Sequence, residues 1–249
     1  DALVTNFHLP ESTLLMLVIL GVRGRVRHWF GPRLAYALWI LPAVRMDLPP
    51  IPADFFGTQP TGVGAGGSTL LFAGPIGDSG AGVSAEIAQL GGVLPLIWLA
   101  GFAALLGVYA ARHLIFCHRL RVAGIKIGEA DRATIIATSV PGPLAFGLFR
   151  KFIAVPDSFL DEYNAIEREL VIAHERAHHA RGDLIANWIS LVVLAAHWWN
   201  PVAWAAIRAF REDQEFAADA DVMANRTPDI LPHYAHVLAK AAGIGALPV

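Results

Sequence analysis

The chain has 249 residues, of which 55% are hydrophobic and only 16% charged, and its mean hydropathy is +0.49. A soluble domain carries about 25% charged residues, so this composition points to a membrane protein. The formal net charge of −2 gives no support for a nucleic-acid partner, and the single cysteine, Cys117, excludes an internal disulfide and a cysteine-based zinc site.

In chain order, residues 1–22 form an atypical N-terminal segment whose apolar run, Leu14 to Val22, is too short to span a bilayer alone. Arg23, Arg25, Arg27 and Arg33 then cluster ahead of a second apolar run, Leu34 to Val44. That run contains Pro42, and it is long enough to cross only if it extends to Pro52 with Arg45 snorkelling to the surface. Residues 46–86 contain no Lys or Arg and are rich in Gly and Pro, as a flexible connector would be. Ile87 to Ala111 is an uncharged run of 25 residues. At about 1.5 Å per residue it exceeds the roughly 30 Å hydrocarbon core, which predicts a transmembrane helix over the alternative of a buried soluble helix. Arg112, Arg119, Arg121 and Lys126 follow it. The positive-inside rule puts both basic clusters in the cytoplasm and the connector outside. Residues 23–111 are therefore the membrane region, and 112–249 a domain on the cytoplasmic side of the cell membrane.

Arg132 to Ser139 is rich in β-branched residues and stops at Pro141-Gly142-Pro143; Leu144 to Val155 continues as a hairpin or edge strand with Gly147 as its bend. Such an edge can hold an extended peptide by strand addition, or it can simply be a packing sheet. Asn164 with Glu167 resembles a capping box and opens a helix. That helix carries His174-Glu175-x-x-His178. Histidines at i and i+4 project from the same side, so one Zn²⁺ can take a nitrogen from each, with Glu175 beside the open position as a proton acceptor. Leu184 to Ile207 lacks charge and could pass for another span, but Asn200-Pro201 supplies a turn. The expectation is two helices, about 165–197 and 201–224, packed as an antiparallel hairpin with Trp198, Trp199 and Trp204 at a tip touching the membrane interface. Glu215 is the expected third zinc ligand. Asp219, one turn later, is the expected acceptor for the far N–H of a ligand histidine. Asp183 is expected to anchor the helix or pair with Arg181. His179, His197 and Tyr163 are candidate donors to a reaction oxyanion.

These residues together resemble the zinc peptidases of the BlaR/MecR antirepressor family, membrane proteins of the gluzincin type. The resemblance runs from about Phe30 to Val222 and includes the long apolar run, the Leu144–Pro156 region, His174-Glu175-x-x-His178, Trp199-Asn200-Pro201 and Glu215-x-x-x-Asp219. It implies a mainly α membrane protein with a small β element. It also implies Zn²⁺ on His174, His178 and Glu215, Glu175 as general base, and cleavage of a cytoplasmic protein such as a transcriptional repressor. A departure is Lys151, where family members commonly have proline after arginine. Residues 1–18 separately resemble part of the queuosine tRNA ribosyltransferase-isomerase, on Thr5-Asn6-Phe7-His8-Leu9-Pro10 and the Ser12–Val18 stretch. A fused or misjoined start is the expectation there, without transferase activity.

Overall fold

The computed structural model describes residues 9–47, 79–224 and 226–241. It is mostly helical with one small sheet. The helices are α1 (Leu9–Phe30), α2 (Pro32–Ala37), α3 (Ile40–Asp47), α4 (Ser79–Ala123), α5 (Phe159–Glu162), α6 (Ala165–Arg181), α7 (Asp183–Ala196), α8 (Pro201–Met223) and α9 (Leu231–Ala241). The strands are β1 (Ile125–Ala130), β2 (Ala133–Ala137), β3 (Leu144–Phe146) and β4 (Phe152–Val155), in the order β1-β2-β4-β3. Residues 48–78 of the expected connector and residues 1–8 lie outside the described residues. From Ser79 onward the connector's end is already part of α4.

Among the described residues, one helix is long and apolar enough to cross a membrane: Val93–Ala123 within α4, with a hydropathy of 2.1 and none of its apolar window buried. The expected inner end at Arg112 is passed, and the helix continues to Ala123. The Leu34 to Val44 run does not form a single helix. Pro42 has no N–H to give Leu38, and its ring crowds the turn before it, so α2 stops at Ala37 and α3 starts afresh at Ile40. Arg45 does not snorkel either; it is buried and pairs with Glu11.

From Leu9 onward the N-terminal segment is integrated into the helical layer. Met16 and Ile19 of α1 share a buried cluster with Trp39, Leu194, Ala206 and Phe210. The basic cluster is drawn into the same contact. Arg23 reaches Glu212 at 2.6 Å and Asp213 at 3.0 Å, Arg27 reaches Asp213 at 3.4 Å, and Arg33 pairs with Asp221. The Asp213 carboxylate is fully buried, and it is stable there because two guanidinium groups and the Trp39 indole N–H, at 2.8 Å, surround it.

The sheet lies between α4 and α6. β2 and β4 pair in parallel, while β1–β2 and β3–β4 are antiparallel. Alternation along β4 sends Ile153 and Val155 into the core with Leu170 and Val171 of α6, and Ala154 to the other face with Ile136, Phe146 and Leu120 of α4. The strand order makes β3 an edge strand, with no further strand paired to it among the described residues, and this edge borders the site.

The expected continuous helix 165–197 is broken. Gly182, with φ +75°, ends α6 in a left-handed conformation, and α7 restarts at Asp183. Glycine is the residue for which that conformation carries no side-chain penalty. The second helix starts as expected from Asn200, whose side chain accepts the Val202 N–H at 2.9 Å, with Pro201 at its first turn. α7 lies along α4: the Trp98 indole donates to the Ala196 carbonyl at 2.9 Å, and the His113 and Trp188 rings meet edge-on at 5.3 Å.

Candidate metal centre

α6 is fixed at its start by a reciprocal cap. Asn164 accepts the Glu167 N–H at 3.0 Å while the Glu167 carboxylate accepts the Asn164 N–H at 3.0 Å. Two turns on, His174 and His178 project from the same side, and α8 brings Glu215 against them. The distances are 3.2 Å between the two Nε2 atoms, 3.4 Å from His174 Nε2 to Glu215 Oε2, and 3.7 Å from His178 Nε2 to the same oxygen. Ligands at about 2.0–2.1 Å around a tetrahedral zinc ion stand roughly 3.3 Å apart, so the triangle has the size of one face of such a site.

The outer ring nitrogens explain why the inner ones converge. His178 Nδ1 donates to Asp183 Oδ2 at 2.7 Å. His174 Nδ1 donates to the Tyr234 hydroxyl at 2.8 Å and faces Asp219 Oδ1 at 3.2 Å, while Tyr234 itself donates to Asp219 Oδ1 at 2.7 Å. With both Nδ1 atoms committed as donors, both Nε2 atoms turn lone pairs toward one another and toward a carboxylate. That donor set fits a cation, either a metal ion or the proton that charges His174 against Glu215.

The acids around the histidines set their electrostatics. Burial disfavours charge on His174, but Asp219 and Glu215 outweigh it and raise its pKa to about 10. Burial also works against ionised Glu215 and Asp219, and contact with His174 overrides it, so both carboxyls fall below their ordinary values. Glu175 behaves oppositely. Its carboxyl is buried and its pKa is raised by desolvation, although His174, His178 and a hydrogen bond from the Ala145 N–H pull the other way. Burial, reinforced by Asp219, raises the Tyr234 pKa and keeps its hydroxyl protonated.

The group lines a cavity of about 440 Å³ whose walls include Pro143, Leu144 and Ala145 of the β3 region, Asn187, Asp219 and Tyr234. All five residues singled out in the sequence (His174, Glu175, His178, Glu215, Asp219) border it. The three donor candidates do not. His179 Nε2 is spent on the Phe152 carbonyl at 3.0 Å, Tyr163 is in the core beside Phe159, and His197 is fully buried against Ser12 and the Val193 carbonyl. Two residues carry more than their sequence reading gave them. Asp183 does pair with Arg181, and it also holds His178 and accepts from the Tyr36 hydroxyl at 2.9 Å. Tyr234 was not singled out at all; it sits on α9, far from the motif, and no spacing rule leads to it.

Comparison with known proteins bears on the whole chain. A family model described as BlaR1 peptidase M56 matches residues 7–247. The chain is similar to the regulatory protein BlaR1 of Bacillus licheniformis, 25% identical over 105 residues, which is 42% of this chain and 17% of that protein. It is also similar to the methicillin resistance mecR1 proteins of Staphylococcus aureus strain Mu50 and Staphylococcus epidermidis, 29% identical over 107 residues, or 42% of this chain and 18% of each. The matched part thus takes in less than a fifth of those relatives. The family match reaches back to residue 7 and so includes most of the N-terminal segment. On this match across nearly its full length, the chain belongs to the BlaR1 peptidase M56 family.

Proposed function

We propose that this chain is a membrane-embedded, zinc-dependent endopeptidase that cleaves a cytoplasmic regulatory protein such as a transcriptional repressor. The observation that carries the reading is the triangle of His174, His178 and Glu215 atoms, with the Glu175 carboxyl beside it and the edge strand β3 along the same cavity. His174, His178 and Glu215 would hold the zinc. When bound, it would polarise a scissile carbonyl and make a water acidic enough to lose a proton near neutral pH. Glu175 takes the proton from the attacking water and returns it to the departing amine. Asp183 and the Tyr234–Asp219 pair hold the two imidazoles in the required tautomer. The β3 edge turns the Ala145 N–H toward Glu175, where an added strand would lie beside the base.

Membrane placement is supported by α4 and by the basic residues that follow its apolar stretch. The pairing of Arg33 with Asp221, and of Asp221 with Arg181 at 3.2 Å, supports a metal centre on the same side as the N-terminal basic cluster, which the positive-inside rule makes cytoplasmic.

The test is purification in detergent with metal analysis and a proteome-derived substrate pool. Wild type should carry one zinc per chain and cleave. Glu175→Gln should keep the metal and lose about 10²–10⁴-fold in rate, and His174→Ala should lose the metal. Cleavage by Glu175→Gln at the wild-type rate would remove the assigned base. Zinc retention with no cleavage by any form would favour a signalling scaffold with a structural site.

A further inference from the structure

The β3–β4 loop, residues 147–151, presents an apolar tip that the peptidase reading does not use. Phe149 is 96% exposed and Leu148 43% exposed, and they are followed by the exposed cations Arg150 and Lys151. The turn has a defined shape. Gly147 has φ +90°, and a side chain there would run into the Arg150 carbonyl. The Lys151 carbonyl is tied to the Thr134 N–H at 2.9 Å. A loop fixed in this way holds its aromatic ring outward.

The position of the loop identifies the surroundings of that ring. β4 starts at Phe152, whose carbonyl accepts from His179 in the last turns of α6 at 3.0 Å. The Phe152 ring also lies 5.4 Å beneath the Arg121 guanidinium, in the last turn of α4. Just beyond His179 the chain turns at Gly182 into α7, which runs back along the apolar stretch of α4. The chain from α4 joins the sheet at Ile125, opposite Ala137 and Val155, but α4 overlies the sheet, with Leu120 against Ala154 and Phe146 and Arg121 over Phe152. The Phe152 end is thus the end that Arg121 of α4 covers and that lies beside the turn into α7.

We infer that this loop is a lipid anchor. Leu148 and Phe149 enter the boundary between headgroups and acyl chains of an anionic leaflet, and Arg150 and Lys151 pair with lipid phosphates. An apolar tip flanked by cations, beside the basic end of a membrane-length helix, is complementary to that surface in both polarity and charge. A docking knob for a protein partner would account for the exposed ring but not for its level beside α4. The anchor also bears on the site, because β3 enters the same loop and carries the Ala145 N–H that meets Glu175.

The inference rests on the membrane placement proposed above, and the two can be tested separately. Cys117 is the only cysteine, so Cys117→Ala supplies a background for single spin labels in the full chain. Labels would be placed by Phe149→Cys in the loop, Val108→Cys on the exposed face of α4, and Asp161→Cys on α5. In nanodiscs containing phosphatidylglycerol, relaxation by oxygen would be compared with relaxation by a water-soluble nickel chelate. The oxygen-to-nickel ratio should be highest at 108, several-fold above the level of 161 at 149, and lowest at 161. Arg150→Gln with Lys151→Gln should reduce the ratio at 149 and leave 108 unchanged. A ratio at 149 equal to that at 161, with 108 still in lipid, overturns the anchor and favours a protein-docking role. An aqueous label at 108 overturns the membrane placement and the anchor with it.

Discussion

Asp183 lies five residues after His178 and still accepts a 2.7 Å hydrogen bond from its Nδ1. A straight helix brings together residues three and four apart, so this contact requires the break at Gly182. The break fixes one metal-binding imidazole and redirects the chain into α7. Nothing stands within 4 Å of a side chain added at Gly182. Gly182→Ala should therefore cost only the left-handed backbone penalty, about 1–2 kcal/mol, measured as a loss of unfolding free energy in detergent. Asp183→Asn should leave the fold in place and weaken zinc binding about 10–100-fold. Unchanged zinc affinity in Asp183→Asn would show that His178 does not depend on this carboxylate.

Tyr234 and Asp219 both face His174 Nδ1, at 2.8 and 3.2 Å. With the phenol oxygen removed, the carboxylate can close on the ring, so Tyr234→Phe should lower zinc affinity only a few-fold. Asp219→Asn removes the negative charge that holds both partners and should cost about 10–100-fold. The double variant should be close to Asp219→Asn alone, because the two groups act on one imidazole. Competition titration against a chromophoric chelator measures all three; additive losses would mean that the residues act separately.

How much of this was legible in the sequence depended on the range of the signal. Asn164 with Glu167, Asn200-Pro201 and the spacing of His174, His178, Glu215 and Asp219 are local patterns, and the chain places all of them where helix geometry puts them. Gly182 gives no firm stop signal, because a single glycine inside an apolar helical pattern costs only about 1 kcal/mol relative to alanine. The pattern on either side continued the helical period. The N-terminal segment looked detached because its apolar run ends at a cluster of arginines. Their counter-charges, Glu212, Asp213 and Asp221, lie on α8, about 190 residues away. Tyr234 was unreadable for the same reason: its place is decided by how α9 docks on α6, and no local rule encodes that.

That docking should depend on pH. The Glu167 carboxylate, already held by the Asn164 N–H, accepts from Lys240 of α9 at 2.9 Å, and His236 lies 3.8 Å from its other oxygen. Burial works against ionised Glu167, but Lys240 and the cap hydrogen bond prevail, and its pKa in the fold is below the ordinary value. A carboxyl depressed by folding contributes stability that is complete above its unfolded pKa and is lost as pH falls through the lower folded value. Protection of the α9 amides, taken relative to the intrinsic exchange rate at each pH, should therefore hold from neutral pH down to the ordinary carboxylate range and fall below it. Glu167→Gln should show the faster exchange already at neutral pH, with about 1 kcal/mol less protection. Exchange in that variant indistinguishable from wild type would mean that α9 is held by its apolar face alone.

The contact between α4 and the turn after α7 can be tested through two glycines of the same helix. A side chain at Gly101 would fall inside the indole of Trp198, whereas one at Gly107 meets nothing within 4 Å. Trp198 cannot easily yield, because its carbonyl accepts the Trp204 indole at 2.9 Å and its ring packs edge-on against Trp199 at 5.8 Å. Gly101→Leu should therefore lose about 1–3 kcal/mol through overpacking. Gly107→Leu gains the same helix propensity without the clash, so the difference between the two isolates the contact. Thermal unfolding in detergent, followed by tryptophan fluorescence, gives both numbers. Equal stability of the two variants would detach the Trp198 turn from α4, and with it the alignment of α7 along the apolar helix.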